Sequence, residues 1–238
     1  MAPINRHPAS GTANREAFRK SFHVHVHRLL QLGYESLEPE KFANAEEDDI
    51  TGEICKRMEY LTEEAPSEKW MKHYAIHDQK QVNDKLDEKS GKVRRGKHRP
   101  RLDIRLLNQS HIPKPGFCIE AKRLYRSDSV SEYMDDEGVG ALVGGYYADR
   151  DLSAGMLGYV QNDSIDGWLV KLEKKLSSDA SLQKGASGET WQKNIFKNGP
   201  THTYKSLHER TGSKITLEIF HSLFLFSGKG SHSEDCVV

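Results

Sequence analysis

Asp103 in the run RPRLDIRLL, and Glu120 with Lys122 in FCIEAKRL, carry the side chains that metal-assisted phosphodiester hydrolysis needs. Side chains on a strand alternate between two faces, so residues two apart share one. Arg101, Asp103 and Arg105 then oppose Leu102, Ile104 and Leu106, while Cys118, Glu120 and Lys122 oppose Phe117, Ile119 and Ala121. The prolines and glycine of the intervening NQSHIPKPG cannot continue a paired strand, so a hairpin-like return is expected to set Asp103 beside Glu120. Two carboxylates a few ångströms apart repel when both are ionised, and a divalent cation relieves that cost by drawing ligands from both. Oxygen donors with water left in the shell suit Mg²⁺ or Mn²⁺ better than zinc. Lys122, on the face of Glu120, is placed to orient an attacking water or to stabilise charge growing on a phosphate.

The elements that must position these groups are legible around them. Asn44 with Glu47 three residues later resembles a capping box, and Ile50, Ile54, Met58 and Leu61 then form an apolar stripe, which predicts a helix to about Thr62. Glu53 borders that stripe and is the first candidate for a helix-borne acid at the site; Glu46, Glu47 and Asp49 compete for the role. WMKHYAIHDQKQV alternates as a strand does. Residues 89–101 hold seven Lys or Arg and no acid, ending two residues before Asp103. Within this glycine-broken run Lys92, Arg94, Arg95, Lys97, Arg99 and Arg101 are the candidate contacts for a nucleic-acid backbone, whose binding is steeply salt-dependent.

PRLD followed by IEAK resembles the PD-(D/E)XK nuclease superfamily, the restriction-endonuclease-like fold. The likeness covers residues 45–176, and Pro100 is separated from Asp103 by Arg101 and Leu102, so the literal Pro-Asp pair is absent. The resemblance implies an α/β fold with a central mixed sheet flanked by helices. It also implies a catalytic set of Asp103, Glu120, Lys122 and Glu53, with Mg²⁺ or Mn²⁺ held by Asp103, Glu120 and Glu53. The expected activity is that of a metal-dependent endonuclease acting on nucleic acid, DNA ahead of RNA, in restriction or antiphage defence. Cutting two strands calls for two active sites, so a homodimer is expected; association with a larger defence complex is the other arrangement the resemblance implies. The alternative reading keeps the sheet and loses the chemistry, as an inactive nucleic-acid-binding or scaffolding module.

Beyond that span, SAGMLGYVQN reads as a strand and SIDGWLVKLEKKL as a helix with Ile165, Trp168, Leu169 and Leu172 inward. Val139–Ala148 reads as a glycine-tolerant helix, and residues 201–226 as a terminal β-hairpin that extends the sheet or offers a dimer edge. Near the start, Phe18, Phe22, Val26 and Leu29 share a helical stripe from Asn14 to Leu32, with Gly33 as its stop. His23 and His27 on that helix are expected as a surface pair, and His202, Tyr204 and His208 as surface residues.

With 238 residues, the chain has length for one sizeable domain, taken as residues 13–226 between polar tails at 1–12 and 227–238. Lys plus Arg equals Asp plus Glu at 35 each, so net charge does not point to a polyanionic partner and only the clustering does. No run approaches the roughly 18 apolar residues of a membrane span. The three cysteines form neither a disulfide framework nor a zinc spacing, and the expectation is a cytoplasmic protein with reduced thiols.

Overall fold

The structure is a computed structural model that describes residues 9–81, 86–87, 92–93, 101–145, 151–182, 191–210 and 215–227. Two long helices open the chain, α1 (Ala9–Glu35) and α2 (Glu47–Glu63). Strand β1 (Tyr74–Gln81) follows a short 3-10 turn at Lys69–His73, and β2 (Leu86–Asp87) pairs with β3 (Lys92–Val93) in a separate small ladder. Then come β4 (Arg101–Asn108), β5 (Gly116–Leu124), the short helices α3 (Ser129–Met134) and α4 (Val139–Val143), β6 (Ser153–Val160) and α5 (Ile165–Ser178). β7 (Gln192–Lys193), β8 (Thr203–Glu209) and β9 (Thr216–Leu225) complete a seven-stranded sheet in the order β1-β4-β5-β6-β9-β8-β7. The β5–β6 and β6–β9 pairs are parallel and the rest antiparallel, so this is a mixed α/β sheet.

Helices cover both faces. Phe22, Val26, Leu29 and Leu30 of α1 and Ile50, Ile54 and Met58 of α2 pack on one core with Ile104, Leu106, Phe117, Ile119 and Ala121. On the other face Trp168, Leu169, Leu172 and Leu176 of α5, with Tyr133 and Leu142, enclose Cys118, Leu124, Met156 and Leu223. All eight residues of β6 are buried, as a strand covered on both sides requires. Its glycines make that packing possible: a Cβ at Gly158 would lie 2.8 Å from Leu124 Cδ1, and one at Gly155 2.9 Å from Phe117 Cε1.

Three expectations change. Gly33 does not stop α1, which runs on to Glu35; it lets α1 meet α2, because a Cβ there would sit 2.9 Å from Met58 Cγ. His23 and His27 are buried in a ring cluster with Phe117, Phe196 and Phe220. Each neighbours a core residue of the same stripe, Phe22 and Val26, so the buried face of α1 is wider than the apolar pattern indicated. His208 is buried too, in a relay of hydrogen bonds joining Tyr133, His221, Ser206 and His208. The terminal hairpin does extend the sheet, but with β9 in its interior beside β6, because six consecutive residues of β9 are buried and need cover on both sides. Among the described residues no helix is long and apolar enough to cross a membrane.

Candidate active site

β4 and β5 form the antiparallel pair expected of their sequences; the ladder ends with Ile104 opposite Ile119, and just beyond it the side chains of Asp103 and Glu120 are in contact. The strands change their relation there. Asp103 Oδ2 accepts a 2.7 Å hydrogen bond from the backbone N–H of Ala121. On the other side the β1–β4 ladder pairs Asp78 with Ile104 and Lys80 with Leu102 but skips Gln79 and Asp103, and Gln79 has φ 43°. A left-handed residue in one strand costs about 1 kcal/mol and distorts the ladder locally, here without inserting a residue, because the pairs on either side keep one register. Its consequence corrects the simple alternation: Leu102 lies in the α5-side core, whereas Ile104 and Leu106 lie in the α1–α2 core.

The second helix closes the site from above, and its position is locked by polar contacts at its start. Gln161 Nε2 donates to the carbonyls of Phe42 (2.9 Å) and Ala45 (2.8 Å), Arg123 Nη1 donates to Ala45 O (3.0 Å), and Thr51 and Tyr159 share a 2.9 Å hydrogen bond. These place Glu47, in the first turn of α2, over the end of β5. Glu47 accepts from Lys122 Nζ (3.0 Å) through Oε1 and from the Arg123 backbone N–H (3.0 Å) through Oε2. Asn44 does not cap α2; Glu46 is its N-cap, without a side-chain hydrogen bond, and the Glu47 carboxylate is spent on β5.

Glu53 is not brought to the pair. Its carboxylate is held by Arg57 Nη2 at 2.8 Å and Lys56 Nζ at 3.6 Å. Glu53 lies six positions beyond Glu47, about 9 Å along and one and two-thirds turns around the helix, so both cannot address one point. The competing acid named from the sequence, Glu47, is the one that reaches Lys122. Its signal was the cluster of acids at the start of α2, which the sequence could not rank. The side chains of Lys92 and Arg101, and all of Arg94, Arg95, Lys97 and Arg99, lie outside the described residues.

Electrostatics set the chemistry of the three central groups. Burial pushes the Asp103 carboxyl up to about 6, against the pull of Lys122 and the Ala121 N–H. Burial, and then the charge of Asp103, hold Glu120 well above the usual carboxylate range. As a carboxylate Glu120 leaves a buried Oε2 with no donor, and its Oε1 lies 3.5 Å from Lys122 Nζ. Protonated, Glu120 can give its hydrogen to Asp103, the contact that raises one acid and lowers the other. Burial opposes the charge on Lys122, but Glu120, Glu47 and Asp103 outweigh it and hold the ammonium form above its ordinary range. Two crowded acids with one unsatisfied oxygen are a pair short of positive charge, which a proton or a divalent cation supplies.

The chain matches no family model, no curated protein and no solved structure. The reading of the site therefore stands on its geometry. Among the described residues no three His, Cys, Asp or Glu side chains are grouped as a metal cage. Two carboxylates suit Mg²⁺, which keeps several waters and is commonly bound by one or two carboxylates together with substrate phosphates.

Proposed function

We propose that this chain is a metal-dependent nuclease of the restriction-endonuclease-like class, with Asp103 and Glu120 holding a Mg²⁺ or Mn²⁺ ion and Lys122 beside them. The observation that carries the reading is the buried, donor-less Oε2 of Glu120 next to Asp103, with Lys122 at 3.5 Å from the other oxygen of the same carboxylate. When bound, the ion would polarise a phosphoryl oxygen and make an attacking water more acidic. Lys122 remains protonated; Glu47 and Glu120 engage two of its three N–H donors, which leaves one for a phosphoryl oxygen. Glu47 fixes the ammonium in place while its second oxygen is anchored by the Arg123 backbone. The Ala121 N–H fixes Asp103 in the same way from the strand backbone. The basic run ahead of β4 supports a polyanionic substrate, DNA ahead of RNA, because it feeds directly into the strand that carries Asp103.

The test is cleavage of plasmid, single-stranded DNA and RNA by the full chain with Mg²⁺, Mn²⁺ or chelator. Product is expected only with a divalent ion, and Asp103→Asn is expected to lower the rate by about a hundredfold or more with the fold retained. Full activity of Asp103→Asn, or cleavage in chelator, would refute the assignment.

A further inference from the structure

A cavity of about 650 Å³ opens at the other end of β6 from the carboxylate pair, between α1, the starts of β6 and β9, and the segment before β8. Leu152 stands at its edge, whereas Met156 and Gly158 are the residues level with Glu120 and Lys122. At strand rise the two places are roughly 15 Å apart. The floor is apolar and aromatic: Phe196 and Phe220 meet edge to face at 5.2 Å, flanked by Val24. Ile195 and Leu152 wall it, 77% and 47% exposed, although each is a large apolar side chain that folding alone would cover. His23 closes the base, its Nε2 bonded to Ser153 Oγ at 2.8 Å, and burial first, then His27 and Arg19, hold it neutral by lowering it to about 3.

The rim has the opposite character. Among the described residues, Arg15, Arg19, Lys20 and Lys205 stand there against Glu16 and Glu218. Glu16 is taken by Lys20 at 2.9 Å, and the single carboxylate of Glu218 is shared by Arg19 and by Lys205 at 3.8 Å. The carboxylates are thus outnumbered and already engaged, so the mouth keeps an excess of positive charge over an apolar floor. A cavity in the roughly 300–1,000 Å³ range with an apolar lining and a few converging charges has the form of a small-molecule site.

We infer that this cavity binds a small organic anion, with an apolar body on Phe196 and Phe220 and a phosphate or carboxylate among the rim cations. The chemistry is shared by a nucleoside monophosphate and by a medium-chain acyl carboxylate. The probe is anilinonaphthalene sulfonate, an aromatic body with one anionic group, titrated into the folded full-length chain and displaced with AMP in one arm and decanoate in the other. Saturable 1:1 binding is expected, displaced by one of the two, and the arm that succeeds names the body. The double variant Arg15→Glu, Lys20→Glu should weaken binding by at least about tenfold, and Leu152→Trp, which fills the space without changing charge, should do the same. Thermal melts report whether either variant is folded. Lack of saturable binding by the wild type, displacement by neither anion, or undiminished binding in a folded variant of either kind would overturn the site. Because the cavity is remote from Asp103 and Glu120, its failure and that of the nuclease reading are read in separate assays.

Discussion

At the scale of the residue, the acids of this site work against the fold that holds them. Asp103 rises from an ordinary 3.8 to about 6 in the folded chain, so the folded state binds its proton more tightly than the unfolded state does. The stability this group contributes is therefore present below pH 3.8 and is lost as pH rises through about 6. Asp103→Asn removes the buried charge yet keeps an acceptor for the Ala121 N–H, and it is expected to raise the melting temperature at pH 8, by a stabilisation of ~1–2 kcal/mol, while the proposed cleavage falls by about a hundredfold or more. A lower melting temperature for this variant at pH 8 would mean that the Asp103 carboxylate stabilises the fold as an ion. Glu47 and Glu53 offer a contrast within one helix. Glu47→Gln takes an anionic partner from Lys122 and should slow cleavage about tenfold, the scale of one charge-assisted hydrogen bond, whereas Glu53→Gln should leave the rate unchanged. Equal rates for the two variants would remove Glu47 from the site.

At the scale of the element, α1 is a helix whose buried face includes two imidazoles. Burial lowers His27 to about 4, and burial first, then His27 and Arg19, lowers His23 to about 3, against an ordinary 6.5. Their neutral forms stabilise the fold above pH 6.5, and that contribution is lost as pH falls from 6.5 toward these lowered values. Between pH 8 and pH 5 each such histidine removes about 2 kcal/mol. His27→Phe replaces the ring within an aromatic cluster that already holds Phe117, Phe196 and Phe220. The melting temperature of this variant should drop less between pH 8 and pH 5 than that of the wild type, and an identical drop would show that His27 is not held neutral.

At the scale of the whole molecule, the mixed sheet brings distant segments of chain to one point, and a bound cation is the natural probe of that convergence. If Asp103 and Glu120 share the ion, Mn²⁺ at about a hundred times its dissociation constant should stabilise the full chain by about 2.7 kcal/mol, readable as a higher melting temperature. Protons compete for the same oxygens, so the stabilisation should be larger at pH 8 than at pH 5.5 and absent from Asp103→Asn. An equal Mn²⁺ effect in Asp103→Asn would place the ion elsewhere.

The sequence by itself determined the strands that carry Asp103, Glu120 and Lys122, the hairpin that brings Asp103 beside Glu120, and the apolar stripes of α2 and α5. Those features follow from local periodicity and turn chemistry, which a chain expresses whatever packs on it. Only the tertiary structure decided the rest. The ranking of Glu47 over Glu53 depends on where the start of α2 is tied to Phe42 and Ala45 by Gln161, a contact across more than a hundred residues. The crossing of β4 between two cores at Asp103 depends on the conformation of Gln79 in a neighbouring strand. Burial of His23, His27 and His208 depends on which surfaces meet them, and a polar side chain enters a core when partners such as Ser153 and Ser206 are waiting for it. Long-range contacts fix burial, and burial is the largest influence on the protonation of Asp103 and Glu120.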